Sequence, residues 1–194
     1  VGGRLIDGNG GPAVDDSVVL VRGDRIAAVG PRAQVEVPSA ATVIDVAGAA
    51  VLPGLHNTHV HSGYGEASLE AWAGEGVTSV RDLGGPRRYD TVARLAERPE
   101  LAKVIAAGPF ITVPGGYPIV PWGATTPITV TTVEQARAAV NQLVDEGADL
   151  IKIATETGRE FGRTIPTLSL TLARAIVETA HGRGARVSTH ITRS

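Results

Sequence analysis

The chain has 194 residues, 43% of them hydrophobic and 20% charged, with a formal net charge of −2. That is ordinary globular composition with length enough for a substantial core, which argues against a disordered polypeptide. The near-neutral balance, without a Lys/Arg run, leaves no electrostatic footprint for nucleic acid or an anionic membrane, so a small molecule or short peptide is the expected partner.

Zero cysteines exclude a disulfide framework and thiolate ligands, so any metal must be held by His, carboxylates or something less usual. Charges interrupt every hydrophobic stretch before the ~20 apolar residues that a membrane span needs. Zero methionines mean that the initiator is absent. A cytoplasmic location is the expectation, and a signal peptide lost upstream is compatible with the same residues.

Residues 1–50 read as short strands with tight turns, over 4–7, 17–21, 25–29 and 42–46, without helical periodicity. From residue 51 the pattern changes to β runs alternating with helical runs, the signature of βα units with parallel strands. Strands are expected at 51–61, 77–82, 103–107, 149–154 and 186–191. In the helix before the fourth strand, Thr132 as N-cap with Gln135 three residues on forms a capping box, followed by Val133, Ala136, Val140, Leu143 and Val144 on one face. The next helix carries Leu172, Ala175, Ile176 and Ala180 on one stripe and ends near Gly182 and Gly184.

Repeated βα units predict a (β/α)8 TIM-type barrel over residues 51–194, with about five of its eight units present. An open doubly wound sheet is the structural alternative, but no Gly-rich phosphate loop follows the first strand.

The most informative stretch is Pro53-Gly54-Leu55-His56-Asn57-Thr58-His59-Val60-His61. Strand side chains alternate faces, so His59 and His61 project from one face at the C-terminal end of the first strand, where a barrel holds its active site. Two imidazoles on one face can share a metal ion, although two histidines can also be plain polar residues at a strand end. His56 has the opposite parity and is expected to face the surrounding helices. Lys152, in an otherwise apolar strand, reads either as a lysine snorkelling to water or as a buried amine held neutral. Tyr117 follows Gly115-Gly116 in a long loop after the third strand, a place that lines the pocket in barrels, so it is a candidate for contact with substrate. An aromatic packed under its own loop is the alternative. Asp82, ending the second strand, is either a support for the site or structural. His181, in the last turn of a helix, is assigned no chemistry.

The run 51–61 resembles the first barrel strand of the amidohydrolase superfamily, whose motif is Pro-Gly-x-x-x-x-His-x-His. Gly3-Arg4-Leu5-Ile6-Asp7-Gly8, Gly76-Val77-Thr78-Ser79-Val80-Arg81-Asp82 and Gly147-Ala148-Asp149-Leu150-Ile151-Lys152-Ile153 extend the likeness to a dipeptidase-like and imidazolonepropionase-like branch over essentially the whole chain. The resemblance implies a binuclear hydrolase for amide-type bonds in which metals activate water. It implies that His59 and His61 bind one metal, that Lys152 becomes a carbamate bridging two, and that His190 binds the second. Two divalent ions are implied, zinc first, with manganese, iron or cobalt as alternatives. Residues 1–50 become the N-terminal part of a small β-sandwich domain. Relatives often carry Gly-Gly-His where Tyr117 stands, so no substrate-binding histidine is carried over there.

The family pattern continues with a fourth histidine and with an aspartate that serves as general acid/base, so no such catalytic group is expected in these residues. A second polypeptide, or further residues of the same one, is expected to complete the barrel, because half a barrel leaves exposed parallel edges. Cleavage after Ser194 is one source of such a partner, and assembly into an oligomer is expected. Lactone, carbamate or cyclic amide hydrolysis and a non-catalytic scaffold remain the alternatives. A deaminase on the same fold would dispense with the carbamate.

Overall fold

Short β-branched runs broken by glycines build the first part of the computed structural model, which describes residues 1–62 and 64–192, with Ser194 outside the described residues. The strands are β1 (Gly3–Leu5), β2 (Val14–Arg22), β3 (Arg25–Pro31) and β4 (Ala50–Val51), in the sheet order β3-β2-β1-β4. β2 and β3 pair antiparallel up to Arg22 and Arg25, and Gly23 takes the positive φ of 61° that a two-residue hairpin asks of its first turn position. β1 is antiparallel to β2 and parallel to β4.

The strand expected over 42–46 does not form. Asp45 Oδ1 accepts the Ala47 amide at 2.8 Å and Ala47 has φ 49°, so a side-chain-capped turn replaces the extended backbone.

The chain divides into two units, Val1–Gly54 and Leu55–Ser194. The expected single strand over 51–61 is split accordingly. Ala50–Val51 pairs with β1, and a new strand starts only after Pro53, which has no N–H to give a ladder.

The second unit runs β5 (Leu55–Val60), α1 (Glu66–Gly74), β6 (Val77–Asp82), α2 (Tyr89–Ala96), β7 (Lys103–Ala106), β8 (Phe110–Thr112), α3 (Ile119–Trp122), β9 (Ile128–Thr129), α4 (Val133–Asp145), β10 (Leu150–Ala154), α5 (Leu170–Gly182) and β11 (Arg186–His190). All of its strand pairs are parallel, in two sheets ordered β5-β6-β7 and β11-β10-β8-β9. The chain is therefore mixed α/β, with parallel strands and helices alternating as the sequence predicts.

The third strand is two segments with different partners: β7 pairs with β6, and β8 with β10. The break falls at Gly108-Pro109. Gly108 has φ 69°, and a Cβ there would lie 1.9 Å from the Tyr89 hydroxyl, so only glycine lets the strand bend past that ring. Asp149 spans the division, donating its amide to Ala106 O at 3.0 Å and accepting the Ala106 amide on Oδ2 at 2.8 Å.

Helix burial follows the apolar periodicity. Ala136, Ala139, Val140 and Leu143 of α4 and Leu172, Ala175, Ile176 and Ala180 of α5 are buried in one core with Ile151 and Ile153 of β10. Each such large aliphatic side chain contributes roughly 1.5–3 kcal/mol. Because Ile151 and Ile153 face this core, alternation turns Lys152 to the opposite face of the strand.

Thr132 caps α4, accepting the Gln135 amide at 3.2 Å, but Gln135 Oε1 reaches back to the Thr131 amide rather than to Thr132. Ser169 caps α5 in the same way, accepting from Leu172 N at 3.3 Å. Among the described residues no helix is long and apolar enough to cross a membrane.

Candidate active site

His59 lies near the C-terminal end of β5 and His61 just beyond it, with their Nε2 atoms 3.2 Å apart. Two imidazole nitrogens each about 2.05 Å from one tetrahedral ion lie about 3.3 Å apart, so the pair has the spacing of two ligands on one metal. The Nδ1 of His61 is 3.0 Å from Gly84 O. With Nδ1–H donating to that carbonyl, the Nε2 lone pair is left pointing at His59, the tautomer that a metal-binding histidine needs.

The loop that presents this carbonyl is tightly specified. Gly84 has φ 149°, and a Cβ there would meet Phe110 at 2.3 Å and His61 Nδ1 at 3.2 Å. Asp82, 0% exposed at the end of β6, accepts the Gly84 amide at 2.9 Å and the Ser62 amide as well. Burial raises its carboxyl pKa, and the two amides and the neighbouring imidazoles oppose the rise. Asp82 thus ties the loop after β5 to the loop after β6, which decides what its place in the sequence left open.

Lys152 of β10 is 1% exposed and heads the fully buried side chains by volume. Its Nζ sits 5.5 Å from the centre of the Phe110 ring, and among the described residues no carboxylate pairs with it. Burial, assisted by the Arg81 charge, lowers its pKa to about 8. The snorkelling alternative is therefore not what the structure has.

In the ladder between β10 and β11, Lys152 is opposite Ser188 and Ala154 opposite His190, so Lys152 and His190 share a face. The Nε2 of His190 is buried, with no hydrogen-bond partner among the described residues. Burial, then the Lys152 charge, hold both His59 and His190 below the usual imidazole value. These interactions place His59, His61, Lys152 and His190 in one neighbourhood.

Aromatic rings join the two sides. His61 stacks on Phe110 at 6.3 Å, Phe110 meets Tyr117 edge-on at 5.8 Å, and Tyr117 stacks on His190 at 3.8 Å. Tyr117 thus packs against the site itself.

His56 departs from its expectation. It bonds Ser79, which shares a face of β6 with Arg81, whereas Val80 belongs to the helix-packed core. The register of β5 on β6 shifts between Asn57 and Val60, and this irregularity breaks the simple parity count.

Two residues that the sequence reading passed over belong here. Phe110 stacks on His61 and underlies Lys152; a lone aromatic after Gly108-Pro109 gave little sign of it. Glu156, buried just after β10, accepts the Gly158 amide at 2.6 Å and the Thr192 hydroxyl. Those bonds, the Thr192 one first, lower its pKa despite its burial. Its only sequence signal is a carboxylate four residues past Lys152.

Among the described residues no group of three or more His, Cys, Asp or Glu side chains stands ready to hold a metal. The donors near one another are the His59–His61 pair, the unpartnered His190 nitrogen and a lysine, which becomes an oxygen donor only when modified. That set fits a metal centre completed by modification of Lys152 and by further ligands.

No family model matches the chain. An uncharacterised protein of Mycobacterium tuberculosis is 30% identical over 166 residues, 80% of this chain and 42% of that protein. Imidazolonepropionase of Deinococcus radiodurans is 38% identical over 118 residues, 54% of this chain and 29% of the enzyme. Among solved structures, a prolidase complexed with N-methylphosphonate-L-proline has a TM-score of 0.79 at 27% identity, covering 97% of this chain and 54% of that one. Molinate hydrolase has a TM-score of 0.78 at 26% identity, covering 99% and 53%. The chain spans about half the length of these structures and less of the curated relatives. Amidohydrolase and prolidase structures that cover nearly the whole chain, together with the imidazolonepropionase match, support reading this chain as an N-terminal portion of the amidohydrolase superfamily.

Proposed function

We propose that this chain carries the metal-binding part of a hydrolase that cleaves amide-type C–N bonds. The observation that carries the reading is the pairing of a fully buried lysine lacking a carboxylate partner with an unpartnered buried His190 nitrogen on the same face, beside the His59–His61 pair. A core has no use for that combination, since each group costs free energy when buried alone.

In this reading His59 and His61 hold one divalent ion and His190 the other, with zinc the first choice for imidazole and oxygen donors. Lys152 serves both as a carbamate: its neutral Nζ adds to the carbon of CO2 and loses one proton, leaving an anionic oxygen pair where a cation had been. The metals, when bound, supply the Lewis acidity that polarises an amide carbonyl and makes water reactive at neutral pH. Gly84 O orients His61, and Asp82 holds the loop that presents it. Tyr117 and Phe110 shield the pocket side from water. The general acid/base and further ligands are assigned to residues outside these 194.

The finer architecture belongs to the same proposal. The parallel strands β5 to β11 are the first five units of a (β/α)8 barrel, β7 and β8 forming one bent barrel strand, and the first unit is part of a β-sandwich. Support comes from hydrolase neighbours that cover nearly the whole of this chain with about half of their own length. The rest of the barrel is supplied by a second polypeptide or by further residues of the same one.

The test is metal analysis of the full-length protein and its His59→Asn variant alongside amide hydrolysis. Metal content and activity should fall together; full activity at unchanged metal content would sink the assignment.

A further inference from the structure

A cavity of about 600 Å³ opens beside His61 in the second unit. Its walls are the rings of Phe110, Tyr117 and Trp122 and the prolines Pro86, Pro109 and Pro118. Apart from the His61 imidazole and the Tyr117 phenol, no titratable side chain lines it among the described residues, and no arginine, lysine or carboxylate is among the lining residues. The ring series from His61 through Phe110 to Tyr117 makes the wall continuous with the candidate metal ligands.

Two kinds of amide substrate would meet these walls differently. A zwitterionic dipeptide would leave its carboxylate desolvated without a counter-charge. An uncharged ring would exchange water for three aromatic faces and several prolines, the lining from which small-molecule sites draw affinity. We propose that this cavity takes the uncharged, ring-bearing part of an amide substrate, and that the enzyme prefers neutral aryl amides to free dipeptides. The inference rests on the amide-hydrolase reading for its chemistry, but not for its binding.

Binding and cleavage can therefore be measured apart. The full-length protein, with metal removed by chelation, is titrated into N-(2-naphthyl)acetamide and followed by fluorescence polarisation. Trp122 is 66% exposed, so its replacement leaves the fold in place. It also hydrogen-bonds Tyr117, which makes two variants necessary. Trp122→Ala is expected to weaken the probe about tenfold, whereas Trp122→Phe, which keeps a ring and loses the bond to Tyr117, retains most of the affinity. Glycyl-proline is expected not to displace the probe.

Displacement by glycyl-proline at concentrations similar to the probe's own dissociation constant overturns the preference. Equal loss in both Trp122 variants, or loss in neither, overturns the aromatic wall as its cause. After metal is restored, a probe that binds as expected but is never cleaved removes the hydrolase reading and leaves the cavity assignment standing.

Discussion

A buried ammonium without a counter-charge destabilises the folded state by an amount set by how far its pKa falls. For Lys152, lowered from 10.5 to about 8, the penalty is on the order of 3 kcal/mol at neutral pH. Because the folded pKa is the lower one, the unfolded chain binds more protons between about pH 8 and 10.5. The penalty is therefore complete below about pH 8 and fades as pH rises toward 10.5. Lys152→Met should accordingly stabilise the metal-free protein by about 1–3 kcal/mol at pH 7, with the advantage shrinking by pH 10, while abolishing metal retention. Denaturant unfolding at the two pH values checks the first part, and an unchanged or lowered stability at pH 7 contradicts it. The same titration governs carbamate formation, which needs the neutral amine. With labelled bicarbonate, the carbamate 13C resonance should grow as pH is raised through about 8, and no such signal should form in Lys152→Met. At this scale His59, His61, Lys152 and His190 were legible as polar groups at expected strand ends. The lowered pKa values of His59, Lys152 and His190 and the unpartnered state of the His190 nitrogen were not, because these depend on neighbours distant in sequence.

Elements position these side chains through their ends. The loop after β6 offers Gly84 O to His61, and the space for it exists only because residue 84 has no Cβ. Gly84→Ala is expected to lower stability by about 1–3 kcal/mol through overpacking against Phe110 and, because His61 loses its orientation, to weaken metal binding too. Thr132→Ala offers a contrast. It removes the cap of α4, far along the chain from every candidate ligand, and should cost about 1 kcal/mol with metal affinity unchanged. Thermal melts and metal titration of both variants separate the two, and equal metal affinity in wild type and Gly84→Ala would refute the role given to the loop. Helices α4 and α5 were readable from their caps and 3.6-residue stripes, since those signals are local. The bend between β7 and β8, the lost strand over 42–46 and the shifted register of β5 were not. Each is decided by what the backbone meets: the Tyr89 ring, the Asp45 carboxylate and the neighbouring strand β6.

For the molecule as a whole, the parallel sheets leave edges open. Among the described residues β5 pairs only with β6 and β11 only with β10, and Leu55 at the first edge is more than half exposed. Unpaired edges with apolar side chains recruit other chains. Residues 1–194 expressed alone are expected to self-associate, whereas the full-length protein should give a discrete species; size-exclusion chromatography with light scattering distinguishes them, and a stable monomer of residues 1–194 contradicts the expectation. What the sequence by itself determined was the alternation of strands and helices, the change of pattern near residue 51 and the types of donor placed at strand ends, because periodicity, capping and residue chemistry act within a few residues. Tertiary structure alone decided that Lys152 is buried without a counter-ion, that His61 is oriented by Gly84, and that Phe110, Tyr117 and Trp122 wall a cavity beside them. Those are facts about atoms brought together from distant parts of the chain, and no local pattern encodes the distances between them.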